Sequence, residues 1–317
     1  MKTNISLILI LCLLLGACKN GNASSQNKSE TSQDTIKAIK MPAIPQMMTA
    51  PEQRADFLAK HYWDNVNFAD TNYIHHPEVT EQAWADYCDL LNHVPLETAQ
   101  QAMRNVIDRT NVDKKVFTYI TDLADKYLYD PNSPMRNEEF YIPVLEAMIA
   151  SPVLNETEKI RPQARLKLAQ KNRIGTKALN FTYTLASGAQ GSLYQLKAEY
   201  LLLFINNPGC QACTETIEGL KNAPIINQLL QEKKLVLLSI YPDEELDEWK
   251  KHLSEFPNEW INGYDKKFTI KEEQVYDLKA IPTLYLLDKD KTVLLKDATA
   301  PAPRRRGRRS RTNGGIL

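Results

Sequence analysis

The run Tyr200-Leu-Leu-Leu-Phe-Ile205 passes through Asn206-Asn207-Pro208-Gly209 straight into Cys210-Gln211-Ala212-Cys213. No other feature of the chain narrows its fold as much. A short, unbroken apolar run bounded by turn residues fits a strand buried on both faces. Asn, Pro and Gly supply the turn. Residues from Gln211 towards Glu232 are compatible with helix, so the two cysteines sit three positions apart at a helix start. Leu235–Tyr241 reads as another buried strand and Asp243–Leu253 as a charged amphipathic helix. Ile281-Pro282-Thr283 then leads into Leu284–Leu287, Asp288–Lys291 turns the chain, and Thr292–Leu295 returns as a hairpin partner. Upstream, Phe181, Tyr183 and Leu185 alternate ahead of a turn at Gly188–Gly191. Strands alternating with helices indicate an α/β domain, here over residues 172–297.

Residues 49–171 follow the helical period instead. Ala83, Trp84, Tyr87, Cys88 and Leu91 form one stripe, with Thr80 as its expected N-cap. Ala99, Ala102, Met103, Val106 and Ile107 form a second, opened by Pro95. Val116, Tyr119, Ile120, Leu123, Ala124 and Tyr127 form a third after Asp113. Tyr141, Val144, Leu145, Met148 and Ile149 form a fourth, with Pro143 near its start. Asn155 and Glu158 have capping-box spacing for a last helix through Lys171, which Pro162 should kink. This half shows little chemistry. His61, His75, His76, His93 and Cys88 lack the paired spacing of a metal site, and no metal is expected. His75-His76-Pro77 reads as loop, Cys88 as a buried thiol, and Tyr62, Trp63, Phe68 and Trp84 as core.

The two ends differ from the body. Ile5–Leu15 is aliphatic but shorter than the ~20 residues a spanning helix needs, so it reads as the core of a signal peptide over 1–17. Leu15-Gly16-Ala17-Cys18 resembles a bacterial lipobox, which implies cleavage before Cys18 and lipidation there. A soluble secreted protein cut after Ala17 is the alternative. Residues 18–48 begin with a polar stretch too poor in apolar residues to fold, and read as a tether. Lys19 in place of Asp after the lipobox favours the outer membrane by resemblance. Six arginines and no acid crowd residues 301–317, whereas lysine outnumbers arginine 26 to 7 before them. The basic tail, 298–317, reads as a frameshifted or fused end, or else as a segment for anionic lipid or nucleic acid. Up to residue 300 the chain holds 33 basic and 39 acidic residues, a net charge of −6, so the body should not bind nucleic acid.

Residues 172–297 resemble the TlpA/ResA-like branch of the thioredoxin superfamily, the membrane-tethered thiol-disulfide oxidoreductases. Gly175-x-x-Ala178-x-x-Phe181, the Phe204–Cys213 strand and loop, the 69 positions between Cys213 and Pro282, and Ala280-Ile281-Pro282-Thr283 carry the likeness. The resemblance implies a central mixed sheet flanked by helices, here behind an all-helical domain. That domain resembles the helical module of unknown function found ahead of thioredoxin-like domains in bacterial lipoproteins. No sequence for the family's C-terminal covering helix is evident, so an apolar sheet face should be exposed.

The same resemblance implies roles. Cys210 is the nucleophile, favoured as an anion at a helix mouth by unpaired N–H groups. Cys213 resolves the mixed disulfide. Pro282, with its neighbours Ile281 and Thr283, forms a cis-proline substrate loop, and Pro208 and Gly209 shape the active-site loop. No cofactor is implied beyond the Cys210–Cys213 dithiol or disulfide. Partners would be protein thiols and disulfides, an envelope electron donor, and the membrane through the lipid, with the folded part facing the periplasm. Departures are Gly209, where the family usually has Trp, and Phe204, where cytosolic thioredoxins bury an acid; Glu199, Glu215 or Glu218 are candidate replacements. The direction of exchange stays open, as do two other readings. One is soft-metal (copper) binding by Cys210 and Cys213, with His252 the only histidine in this half. The other is a structural lipoprotein with a vestigial redox pair. A peroxidase is disfavoured by Pro208-Gly209 ahead of Cys210.

Overall fold

The computed structural model describes residues 38–298. The signal peptide, Cys18, most of the tether and the tail from residue 299 lie outside the described residues. The first half is helical: α1 (Pro51–His61), α2 (Pro77–Leu91), α3 (Leu96–Arg109), α4 (Lys114–Ala124), α5 (Glu138–Ala150) and α6 (Glu156–Ala169). Each apolar stripe read from the sequence faces one core, in which Trp84, Leu91, Met103, Ile107, Phe117 and Tyr141 are fully buried. Trp63 packs against Trp84, Tyr87 and Phe68, so these aromatics are core. Among the described residues no helix is long and apolar enough to cross a membrane.

Helix starts follow local chemistry. Asp113 caps α4 by accepting from the Lys115 and Val116 N–H groups, and Asn155 and Glu158 close a capping box on α6. Thr80 is not a cap. Pro77 occupies the first turn of α2, where a missing N–H costs nothing, and Thr80 lies inside with its hydroxyl donating to Tyr73 O at 2.7 Å. His75 ends a short 3₁₀ turn, not an open loop. Pro143 and Pro162 lie beyond the first turns of α5 and α6, and both helices continue through them.

The second half is a seven-stranded mixed sheet, ordered β2-β1-β5-β4-β3-β6-β7. Its strands are β1 (Thr182–Leu185), β2 (Gln190–Ser192), β3 (Tyr200–Ile205), β4 (Leu235–Tyr241), β5 (Ile261–Tyr264), β6 (Thr283–Asp288) and β7 (Val293–Lys296). Central β3 runs parallel to β4 and antiparallel to β6. Its alternation splits the core: Leu201, Leu203 and Ile205 face one layer with Tyr276 and Tyr285, and Leu202 and Phe204 face the other with Ile217 and Leu220. The helix expected from Gln211 to Glu232 is two, α7 (Gln211–Lys221) and α8 (Pro224–Gln231), because Pro224 can only begin a helix there. The charged helix after β4 is only α9 (Leu246–Lys251), and α10 (Thr269–Glu272) follows β5. Past β7 the described chain ends at Ala298, beside a groove of about 440 Å³ lined by Tyr200, Leu220, Ile226, Leu229, Leu286 and Leu295.

Asn172 joins the halves. It is buried with φ +50°, its amide donates to Val275 O at 2.7 Å, and its carbonyl accepts from Leu179 N at 2.7 Å. Asn tolerates that left-handed backbone better than most residues. Asn172→Ala should therefore lower unfolding stability in urea by about 2 kcal/mol or more, and Asn172→Gly by about 1 kcal/mol less than Ala, since Gly removes the hydrogen bonds but not the fit to φ. Equal losses in the two variants would contradict this account.

Candidate functional site

The site forms where β3 stops. Ile205 is the last residue of β3 and pairs with Ile240 on one side and Thr283 on the other. That register sets the start of β6 beside the exit of β3, so residues 71 positions apart in sequence meet. Asn206 turns inward, donating from its amide to Ser239 Oγ at 2.7 Å, while its backbone N–H donates to Ile240 O. Asn207 donates to Asp243 Oδ2 at 3.0 Å, and Asp243 accepts from Lys271 at 2.6 Å. Half-buried Pro208 follows, then exposed Gly209 with φ +68° and open space where a Cβ would sit. An L side chain is strained at that φ whatever the space around it, which accounts for Gly where the resembled family places Trp.

Cys210 is the N-cap of α7, with extended backbone and its sulfur accepting from the Cys213 N–H at 3.3 Å. Sulfur thus occupies the place of a capping oxygen, satisfying one of the free donors at the helix start. On its other side the Cys210 thiol donates to Ile281 O at 3.8 Å. The Ile281–Pro282 bond is cis, and Thr283 Oγ1 donates back to Ala280 O at 2.5 Å. The structure therefore brings Cys210, Cys213 and Ile281 together, with Pro282 and Thr283 continuing the same loop into β6.

The two thiols differ in exposure. Cys210 is half-buried; Cys213 is 2% exposed. Burial pushes the Cys213 thiol up to about 12, helped by its hydrogen bond with Cys210 and opposed by a backbone hydrogen bond from Asn207. Its ordinary value is 9.0, so the folded chain keeps a proton that the unfolded chain loses between 9.0 and about 12. This thiol's contribution to stability is thus complete below the lower value and is lost as pH rises through that window.

Phe204 is fully buried against Trp260, and Glu199, Glu215 and Glu218 are all exposed. Glu215 accepts from Gln211 and Glu218 from Lys221, so none replaces the buried acid. Both His252 nitrogens face carboxylates, of Glu255 at 2.6 Å and Glu248 at 3.1 Å. Among the described residues no group of three or more His, Cys, Asp or Glu side chains is arranged to hold a metal. Cys88 is buried, and burial pushes its thiol well above the ordinary range. Sequence reasoning passed over Asn206, Asn207 and Asp243. Two amide side chains directly after a buried strand were the available signal.

A family model described as a domain of unknown function, DUF5106, matches residues 17–172. A second, described as thioredoxin-like, matches residues 198–293. Among solved structures, a thioredoxin-like protein from Bacteroides caccae is 84% identical, with a TM-score of 0.82, and the match covers 84% of this chain and 96% of that one. The C-terminal domain of an uncharacterized protein from Bacteroides fragilis is 72% identical (TM-score 0.40), over 40% of this chain and 91% of that one. A domain described as a possible thiol-disulfide isomerase from Cytophaga hutchinsonii is 27% identical (TM-score 0.36), over 41% of this chain and 86% of that one. A search of curated proteins found no match.

Exposure and thiol acidity together set an order of reaction. Of the three described cysteines, iodoacetamide at neutral pH should label Cys210 alone in the reduced native protein, with Cys88 and Cys213 labelled only in denaturant. Peptide mass spectrometry reads the order, and labelling of Cys213 before Cys210 would contradict the geometry.

Proposed function

The chain belongs to the thioredoxin-like family, and on that premise we propose that it is a thiol-disulfide oxidoreductase acting on cell-envelope proteins through Cys210 and Cys213. The observation that carries the reading is the half-buried Cys210 sulfur, held between the Cys213 N–H and the Ile281 carbonyl, with a second, buried thiol one helical turn away. A nucleophile needs access; a resolving thiol needs protection until the first step is over.

The exchange balances without any cofactor. The Cys210 thiolate attacks one sulfur of a substrate disulfide; that S–S bond breaks and the other substrate sulfur leaves as a thiolate. Cys213 then gives up its proton, which the departed thiolate accepts, and attacks Cys210. The mixed disulfide breaks and the second substrate sulfur leaves, taking a proton from water. Two electrons pass to the substrate and a Cys210–Cys213 disulfide remains. An envelope electron donor would reduce it, and the reverse sequence oxidises a substrate. The acidity of Cys213 supports this order, because a thiol raised to about 12 stays protonated while Cys210 attacks. The nearness of the Ile281 backbone to the sulfur supports a role for it in pairing with the substrate chain.

The location proposed with this activity is the periplasmic side of the envelope, on the outer membrane, through lipid on Cys18. Residues 298–317 play no part in this reading.

Cys210→Ala should abolish reduction of insulin disulfides by the full chain, and Cys213→Ala should accumulate mixed disulfides visible on non-reducing gels. Wild-type behaviour in both variants would remove the assignment. For the anchor, Cys18→Ser should release the protein from the membrane fraction and stop incorporation of labelled fatty acid; unchanged fractionation would contradict lipidation at that thiol.

A further inference from the structure

The β3–β6 register sets one end of the Ile281 segment beside Cys210; the rest of that segment is the loop Gln274–Pro282, which lies between α10 and β6 and contains neither helix nor strand. Among the described residues it has no backbone–backbone hydrogen bond to the rest of the chain. Side chains hold it instead, and Lys171, Asn172 and Glu138 among them belong to the helical half or to its junction with the sheet half. Lys171 donates to Gln274 O at 2.7 Å, and Asn172 donates to Val275 O at 2.7 Å. Tyr276 donates to Leu179 O at 2.8 Å.

The fourth anchor lies nearest the sulfur. Lys279, two residues before Ile281, has a side chain only 6% exposed and reaches Glu138 Oε1 at 2.5 Å, on the first residue of α5. Asp277 at 3.2 Å and Asp297 at 3.6 Å complete its carboxylate surroundings, and Tyr129 presents its ring face at 4.9 Å. Burial works to lower the Lys279 pKa, but the carboxylates of Glu138, Asp297 and Asp277 outweigh it and hold the ammonium above the ordinary lysine value. Glu138 also pairs with Lys296 of β7. A buried ammonium with this many partners has one position, because leaving it strands several charges away from water.

We propose that Glu138 and Lys279 are positioning residues for the substrate loop: the helical half fixes the Ile281 backbone beside Cys210 and thereby sets affinity for extended polypeptide disulfides. The inference rests on the redox reading above. The anchor touches neither sulfur, so it governs how a chain is held and leaves the exchange at Cys210 unaltered. A small disulfide with no backbone to pair gains nothing from it. The neighbouring cavity of about 360 Å³ fits this role, since Ile281 and Asp277 line it together with Leu168 of α6.

The test uses the full chain with Glu138→Gln, Lys279→Met and Lys279→Arg, and two probes: insulin and bis(hydroxyethyl) disulfide. In Glu138→Gln and Lys279→Met the KM for insulin should rise about tenfold, with kcat and the rate with the small disulfide within about twofold of wild type. Lys279→Arg keeps the charge and should restore most of the affinity. If Lys279→Met does not fold, the split in Glu138→Gln decides. Unchanged insulin KM, or equal loss on both probes, would overturn the proposal while leaving the dithiol chemistry standing. Wild-type protein inert towards both probes would instead remove the redox reading, and the proposal with it.

Discussion

A parallel strand that ends in a protein core must hand its chain to a helix, and the first turn of that helix carries N–H groups with no partner inside it. Here β3 ends between Ile240 and Thr283, and the helix that follows takes its cap from sulfur. The site's arrangement follows from that substitution. The cap must be near the surface to let the chain turn, so Cys210 is accessible. The residue one turn on must point into the sheet, so Cys213 is buried and its thiol raised. Two identical side chains acquire different chemistry from three positions of helix.

The second constraint is electrostatic and long-range. Glu138 and Lys279 are separated by 141 positions, yet each is largely buried, and each is costly without the other. Their pairing forces α5 and the Ile281 loop to keep one relative placement. Arg173, which pairs with Glu139, and Lys296, which donates to Lys171 O at 2.7 Å, add further ties between the halves. On the proposal above, the helical half acts on the site through the loop it holds.

Local signals explain what the sequence made readable. The strand, the Cys210–Cys213 spacing, α7 and the β6–β7 hairpin each depend on residues within a few positions of one another, as do the capping box at Asn155 and the cap at Asp113. Helix boundaries were less readable wherever two signals competed: Thr80 resembled a cap, but Pro77 had already begun α2, and Pro224 divided a stretch that composition alone would join. The contact of Ile281 with Cys210 could be implied only by family resemblance, since it depends on the pairing of Ile205 with Thr283. The Glu138–Lys279 pair gave no signal at all, because charged residues scattered along a chain read as solvated surface until the fold buries them. Gly209 shows the opposite case: a departure from the resembled family that the backbone φ of +68° makes intelligible.

An equilibrium redox titration of the purified chain, with thiols trapped by acid and alkylation and identified by mass spectrometry, tests the central claim most directly. The account expects one reversible two-electron transition that joins Cys210 to Cys213 while Cys88 remains a thiol throughout. Cysteines that never join, or that oxidise independently of each other, would contradict it.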